Sequence, residues 1–382
     1  MKYACAAILS LTAASVLAQP IDPNRPPDPL SLQPATVDPA PAAKPKSGSP
    51  ISFHVSAQNT AAEGESSPEL EAATTKGLAG LAAMQNEDGS FGDTRWGRSV
   101  AITSLACLAL MGDGNMPGRG VYGDVVLKGL KFVLANAAEN GLVAAESANG
   151  PMYGHGFATL FLGEIYGMTG GNFSGEDQQL SQKTHETLVK AVRLIESTQN
   201  DEGGWRYNPV PYDADVSVTI CQIMGLRAAR NAGLEVSKDT IEKAVEYVKR
   251  CQNPDGGFRY QAQGGQSAWE RSAAGVASLL YAGKYEDKSI ENGLNYLVST
   301  AMPGSQTRRS HYFYGHYYAV QCMFLAGGDS WKVWWPSIRA ELLGAQQADG
   351  TWVDPAVGNA YGTSMSLIIL QMPKRYLPIF QK

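Results

Sequence analysis

A chain of 382 residues, 44% hydrophobic and 18% charged, has the composition of a globular protein, not of a disordered or fibrous one. Its formal net charge of -5, with no run of basic residues, excludes a nucleic-acid surface built on phosphate neutralisation. Beyond the first twenty positions there is no uninterrupted apolar stretch of about 18 residues, so no transmembrane segment is predicted in the mature chain.

In chain order, Met1-Lys2, the apolar residues 4–17 and the ending Val16-Leu17-Ala18 have the charged start, apolar middle and small-residue end of a secretory signal. Residues 1–18 are read as a signal peptide and the mature protein as secreted or periplasmic. Between Gln19 and Pro50 stand ten prolines among Ala, Asp and Ser, a composition that favours extended polyproline conformations and buries no core. With the polar, acidic stretch 58–67 it makes a disordered Pro-rich linker over 19–70. A helical pattern begins over 69–84, and the folded domain is placed at 71–382. Cys5 lies in the signal, whereas Cys107, Cys221, Cys251 and Cys322 are widely spaced in or beside apolar runs. Export permits disulfides, but there is neither a dense framework nor a C-x-x-C pair, so these four read as buried thiols.

Within the domain a short motif returns in fixed register: Gln85-Asn86-Glu87-Asp88-Gly89-Ser90-Phe91, Gln199-Asn200-Asp201-Glu202-Gly203-Gly204-Trp205, Gln252-Asn253-Pro254-Asp255-Gly256-Gly257-Phe258 and Gln346-Gln347-Ala348-Asp349-Gly350-Thr351-Trp352. The middle pair lies 53 residues apart and the outer gaps are about twice as long, which leaves room for one degenerate unit in each. Tyr153-Gly154-His155-Gly156-Phe157-Ala158 and Tyr314-Gly315-His316-Tyr317-Tyr318-Ala319 resemble each other and open apolar helices where those units belong.

Each unit reads as an amphipathic helix, the motif turn, and a second helix that is apolar on nearly every side. Asp239 and Glu242 fit a D-x-x-E helix start, and Ile241, Ala244, Val245 and Val248 form one apolar stripe. The helix after its turn, 272–281, is apolar all round and belongs inside. Six units of about 50 residues therefore predict an all-α (α/α)6 toroid, an inner ring of helices within an outer ring. The motif glycine supplies a positive φ where the outer helix ends, the glutamine is placed to bond free carbonyls there, and the aromatic packs on the next hairpin.

These motifs resemble the QW-type repeats of squalene-hopene cyclases and the related repeats of protein prenyltransferase β subunits, over residues 71–382. In such cyclases an aspartic acid of a D-x-D-D-T motif protonates the terminal alkene. The resembling segment here is Asp213-Ala214-Asp215-Val216-Ser217, in which Val216 replaces the third aspartate. The resemblance implies a catalytic pair, with Asp215 at the proton donor's position and Asp213 supporting it. Both also directly precede an apolar helix over 216–229, where an aspartate serves equally as N-cap. Aromatic faces for a substrate are offered by Tyr153, Phe157, Trp269, Tyr314 and Tyr317, beside Tyr312, Phe313 and Tyr318.

The zinc-dependent prenyltransferases carry an Asp-x-Cys ligand pair that is missing here, and His316 reads as a structural residue in an aromatic turn, so no metal and no cofactor are predicted. The mature part is also shorter than a two-domain cyclase. Three readings stay open. One is a toroid that binds or cyclises a hydrophobic isoprenoid-type ligand with an Asp general acid. The second is a non-catalytic module for a cell-envelope protein partner, favoured by aromatics packed against one another. The third is a glycan-active enzyme with two carboxyls drawn from Glu164, Asp213, Asp215 and Glu270. Trp331-Lys332-Val333-Trp334-Trp335-Pro336 is expected to pack between hairpins ahead of the last outer helix.

Overall fold

The protein is described by a computed structural model covering residues 65–93, 96–145, 150–171, 178–304 and 310–381. The expected signal peptide (1–18) and nearly all of the expected Pro-rich linker (19–70) lie outside the described residues. Among the described residues twelve α-helices follow one another: α1 (Pro68–Ala83), α2 (Val100–Met111), α3 (Gly123–Ala135), α4 (Met152–Thr169), α5 (Gln178–Ser197), α6 (Val216–Asn231), α7 (Lys238–Arg250), α8 (Trp269–Tyr281), α9 (Lys288–Ala301), α10 (Tyr312–Ala326), α11 (Gly328–Ala345) and α12 (Asn359–Leu370). Odd helices bury one stripe. Even helices α2, α6, α10 and α12 are buried almost throughout.

The even helices pack in sequence, α2 on α4, α4 on α6, α6 on α8, α8 on α10, α10 on α12, and α12 back on α2, which closes an inner ring of six. Four of them, α2, α6, α8 and α12, follow a motif turn, and because inner and outer helices alternate, all six enter the ring from the same end. Gly154 of α4 lies beside Val100 of α2, Gly315 of α10 beside Trp269 of α8, and Gly362 of α12 beside Phe313 of α10. The fold is therefore the (α/α)6 toroid that the repeats predict, six hairpins closed head to tail.

The glutamines do more than close their own helices. Gln85 Nε2 donates to the Gly89 carbonyl (3.0 Å) within its turn and to the Val125 carbonyl (2.8 Å) of the next outer helix. Gln199 bridges Gly203 and Thr240, Gln252 bridges Gly256 and Ser289, and Gln346 bridges Gly350 and Ala73. The last pair joins hairpin six to hairpin one. The amide thus bolts neighbouring hairpins together, which a cap at its own helix end would not do. Aromatic backbone N–H groups are held by hydroxyls of the inner helix, from Thr103 to Phe91 (2.8 Å), Thr219 to Trp205 (3.1 Å), Ser272 to Phe258 (2.8 Å) and Thr363 to Trp352 (3.0 Å). Phe258 and Trp352 rest against Gly293 and Gly77 of the following outer helices, as the sequence predicts.

The second hairpin keeps this plan without the glutamine. Gly141 has φ 94 and meets the Lys190 carbonyl as Gly89 meets that of Lys128. The Val143 N–H donates to His155 Nδ1 (3.1 Å), and His155 Nε2 donates to the Ala191 carbonyl (3.2 Å). Burial lowers the His155 pKa to about 4 despite that second bond, so the ring is a neutral staple standing where other hairpins use a hydroxyl.

Three local expectations shift. The cap of α7 is Ser237, whose hydroxyl accepts from Thr240 N (3.2 Å), two residues before Asp239. α8 starts at Trp269, three residues before the apolar run alone suggests. The tryptophan-rich segment lies inside α11, with Trp331, Trp334 and Trp335 buried and Pro336 within the helix. Trp331 Nε1 donates to Glu65 (2.7 Å), so the chain just ahead of α1 is already tied to the ring. Cys107, Cys221, Cys251 and Cys322 are free and buried. No helix among the described residues is long and apolar enough to cross a membrane.

Candidate functional site

The inner helices begin around one mouth, and the third hairpin supplies its polar centre. Asp215 extends the backbone ahead of α6, and its Oδ1 accepts from Val218 N (2.9 Å), a standard N-cap. Its other oxygen faces Arg206 Nε at 3.7 Å, and Arg206 is also salt-bridged to Asp213. Asp215 is fully buried, Arg206 only 11% exposed at its side chain, and Asp213 39%. Burial works against the guanidinium's charge, but the Asp213 hydrogen bond and the nearby carboxylates outweigh it and hold its pKa above the ordinary value. Arg206 also stacks on the Tyr207 ring (5.0 Å) and near that of Tyr260 (5.6 Å), whose hydroxyls bond each other.

The sequence reading missed Arg206, Tyr207 and Tyr260. A register signal was present: Tyr207 and Tyr260 each stand two residues after a motif aromatic, Trp205 and Phe258, and so emerge from the turn toward the mouth.

Of the aromatics predicted to line a substrate site, Tyr153 and Tyr314 are half-buried at the mouth. The Tyr153 ring lies 6.2 Å from that of Tyr207, and the Tyr314 hydroxyl donates to the Ser217 carbonyl (3.4 Å). Burial, then the charge of Asp215, raises the Tyr153 pKa well above the ordinary value. Trp269, Phe157 and Tyr317 are buried instead. Trp269 packs between α8 and α10 against Gly315 and the ring of His316 (4.9 Å). His316 itself sits inside α10, not in a turn, flanked by Trp269, Tyr312 and Trp334.

Phe157 and Tyr317 meet edge to face at 6.3 Å. They come from α4 and α10, which stand opposite each other in the six-membered ring, so this contact crosses the axis. Tyr318 packs against Tyr317 (4.8 Å), and its hydroxyl lies 3.5 Å from Cys221 Sγ. The mouth is thus a bowl whose floor is made of aromatic side chains.

Below that floor lies Glu164, 1% exposed, whose Oε2 accepts from Ile379 N (3.1 Å) in the turn Pro378–Phe380. That turn packs on α4 and α6 at the far end of the ring. Burial raises the Glu164 pKa to about 8, although the Ile379 amide favours the anion. Glu164 is therefore separated from Asp213 and Asp215 by the aromatic floor, whereas Glu270 is buried near the mouth beside Arg271 (3.5 Å). Among the described residues, no group of three or more His, Cys, Asp and Glu side chains is placed to hold a metal ion.

A family model for the squalene-hopene cyclase C-terminal domain matches residues 168–319, from the end of α4 into α10, which includes the third and fourth hairpins and the polar centre. No curated protein matches the chain in sequence. Among solved structures, the type II terpene cyclase MstE from Scytonema is 15% identical with a TM-score of 0.53, over 81% of this chain and 99% of that one. A D-mannose isomerase is 11% identical with a TM-score of 0.59, over 82% and 99%. An inactive variant of the α-1,6-mannanase GH76A of Salegentibacter sp. HEL1_6, in complex with α-1,6-mannotriose, is 10% identical with a TM-score of 0.56, over 80% and 98%. These likenesses are of fold. The chain is therefore an α/α toroid, similar over residues 168–319 to the squalene-hopene cyclase C-terminal domain.

Proposed function

We propose that the protein is an exported binding toroid that takes its ligand into the tyrosine-lined mouth and performs no Asp-driven cyclisation. The observation that carries the reading is Arg206 set between Asp213 and Asp215. A general acid must be free to hand a proton to its substrate, whereas one Asp215 oxygen is engaged as the cap of α6 and the other faces the Arg206 guanidinium at 3.7 Å. The Phe157–Tyr317 contact across the axis supports the same reading, because a polyene threaded into the ring would have to displace it. A MstE variant is in complex with geranylgeranyl dihydroxybenzoate, so the fold can host such a ligand; in this chain Phe157 and Tyr317 meet across the axis. The leader-like residues 1–18 support a place outside the cytoplasm.

The test is mass spectrometry of small molecules and lipids retained by the mature protein purified from its native compartment, compared with an Asp213→Asn, Asp215→Asn double variant. The reading expects the same molecule, chemically unchanged, in both. A cyclised product in the natural protein and its linear precursor in the variant would establish a cyclase. An empty mouth in both would favour a platform for an envelope protein.

A further inference from the structure

Every hairpin brings an aromatic ring to the mouth: Trp96, Tyr153, Tyr207, Tyr260, Tyr314 and Tyr361. Five of the six carry a hydroxyl, and all but Tyr207 are partly exposed. Tyr153, Tyr207, Tyr260 and Tyr314 form one neighbourhood with Asp215, which acts electrostatically on both Tyr153 and Tyr314. Beside them the loop 208–212 lifts Tyr212 and Val210 into solvent, 87% and 53% exposed, on a backbone stiffened by Pro209 and Pro211 and tied down at Asp213.

The chemistry of this rim selects among ligand classes. A purely hydrocarbon chain would be served by phenylalanine; laid over Arg206, Asp213 and the tyrosine hydroxyls it would strip water from them and return no hydrogen bond. An anionic headgroup would meet three carboxylates, Asp213, Asp215 and Glu270, against two guanidiniums, Arg206 and Arg271, already paired with them. A neutral polyhydroxylated ring suits both features. Its C–H faces stack on aromatic faces, and its hydroxyls exchange hydrogen bonds with tyrosine hydroxyls and with the half-exposed Asp213 carboxylate.

We propose that the mouth binds a neutral carbohydrate chain. The inference rests on the mouth being the ligand site. The sugar lies on Tyr153, Tyr260 and Tyr314, and Tyr212 contacts the next residue along the polymer.

Isothermal titration of the mature protein against maltotetraose, cellotetraose, mannotetraose and chitotetraose, with geranylgeraniol and inorganic phosphate as counter-ligands, tests this. At least one tetrasaccharide is expected to bind, about tenfold more weakly to Tyr260→Phe or Tyr314→Phe and several-fold more weakly to Tyr212→Ala, the last with an unchanged melting temperature. Geranylgeraniol binding with no sugar bound would overturn the carbohydrate assignment and leave the mouth as the ligand site. Sugar binding indifferent to all three substitutions would overturn it by placing the sugar elsewhere. No binding by any ligand would overturn both this assignment and the binding reading beneath it.

Discussion

Replacing Arg206 by methionine is expected to destabilise the toroid by about 3–5 kcal/mol, the cost of leaving a buried carboxylate without its counter-charge. Methionine keeps much of the apolar stem that lies against Tyr207 and Tyr260, so the loss reports on charge and not on a cavity. Asp215 is fully buried and cannot recover hydration where it stands. Asp215→Asn alone is expected to cost far less, because asparagine caps a helix as well as aspartate does and can still accept from Val218 N. The double variant Arg206→Met, Asp215→Asn should then recover most of the stability lost in Arg206→Met. Denaturant midpoints of the four proteins close the cycle. Purely additive losses would mean that Arg206 and Asp215 are not coupled and that the polar centre is not held as described.

A second large effect is expected at a motif glycine. Gly203 has φ 96, and a Cβ built there lies 2.2 Å from the Lys243 carbonyl oxygen, part of α7's backbone. Gly233 has φ 90 and nothing within 4 Å of the same position. Gly233→Ala therefore costs only the backbone penalty of a left-handed residue, about 1–2 kcal/mol. Gly203→Ala must in addition push apart two hairpins bolted by Gln199, a cost of about 4 kcal/mol or more in total. The melting temperature of Gly203→Ala is expected to fall at least twice as far as that of Gly233→Ala. Equal losses would show that the motif glycine is needed for its φ alone.

The comparison of these two glycines also shows what the sequence made legible. The spacing of Gln, Gly and aromatic revealed six hairpins and a closed ring, because each motif satisfies a local turn and a neighbour contact at once. It did not reveal the second partner of each glutamine. The second acceptor of each glutamine lies about 40 residues ahead, in Val125, Thr240 and Ser289, or across the chain's ends in Ala73, and no local pattern marks those carbonyls. Gly141 was hidden for the opposite reason: its hairpin lost the glutamine and the aromatic, and only the Asn140-Gly141 pair marks the turn.

At the site, the aspartates were visible through the family resemblance, but their pairing depends on Arg206, which belongs to the preceding motif turn and lies seven and nine positions away. The aromatics divided by depth along the helix. Tyr314 and Tyr317 stand three positions apart, one turn of the same apolar helix, yet the first is half-buried at the mouth and the second closes the axis, because the apolar pattern does not say how deep into the ring a turn lies.

The central claim, a toroid that binds at its mouth without proton-driven cyclisation, is tested most directly by incubating the purified mature protein and its Asp215→Asn variant with squalene and with geranylgeranyl dihydroxybenzoate and analysing the products by mass spectrometry. The account predicts that both proteins return both polyenes unchanged. A cyclised product formed by the natural protein and abolished in Asp215→Asn would contradict it.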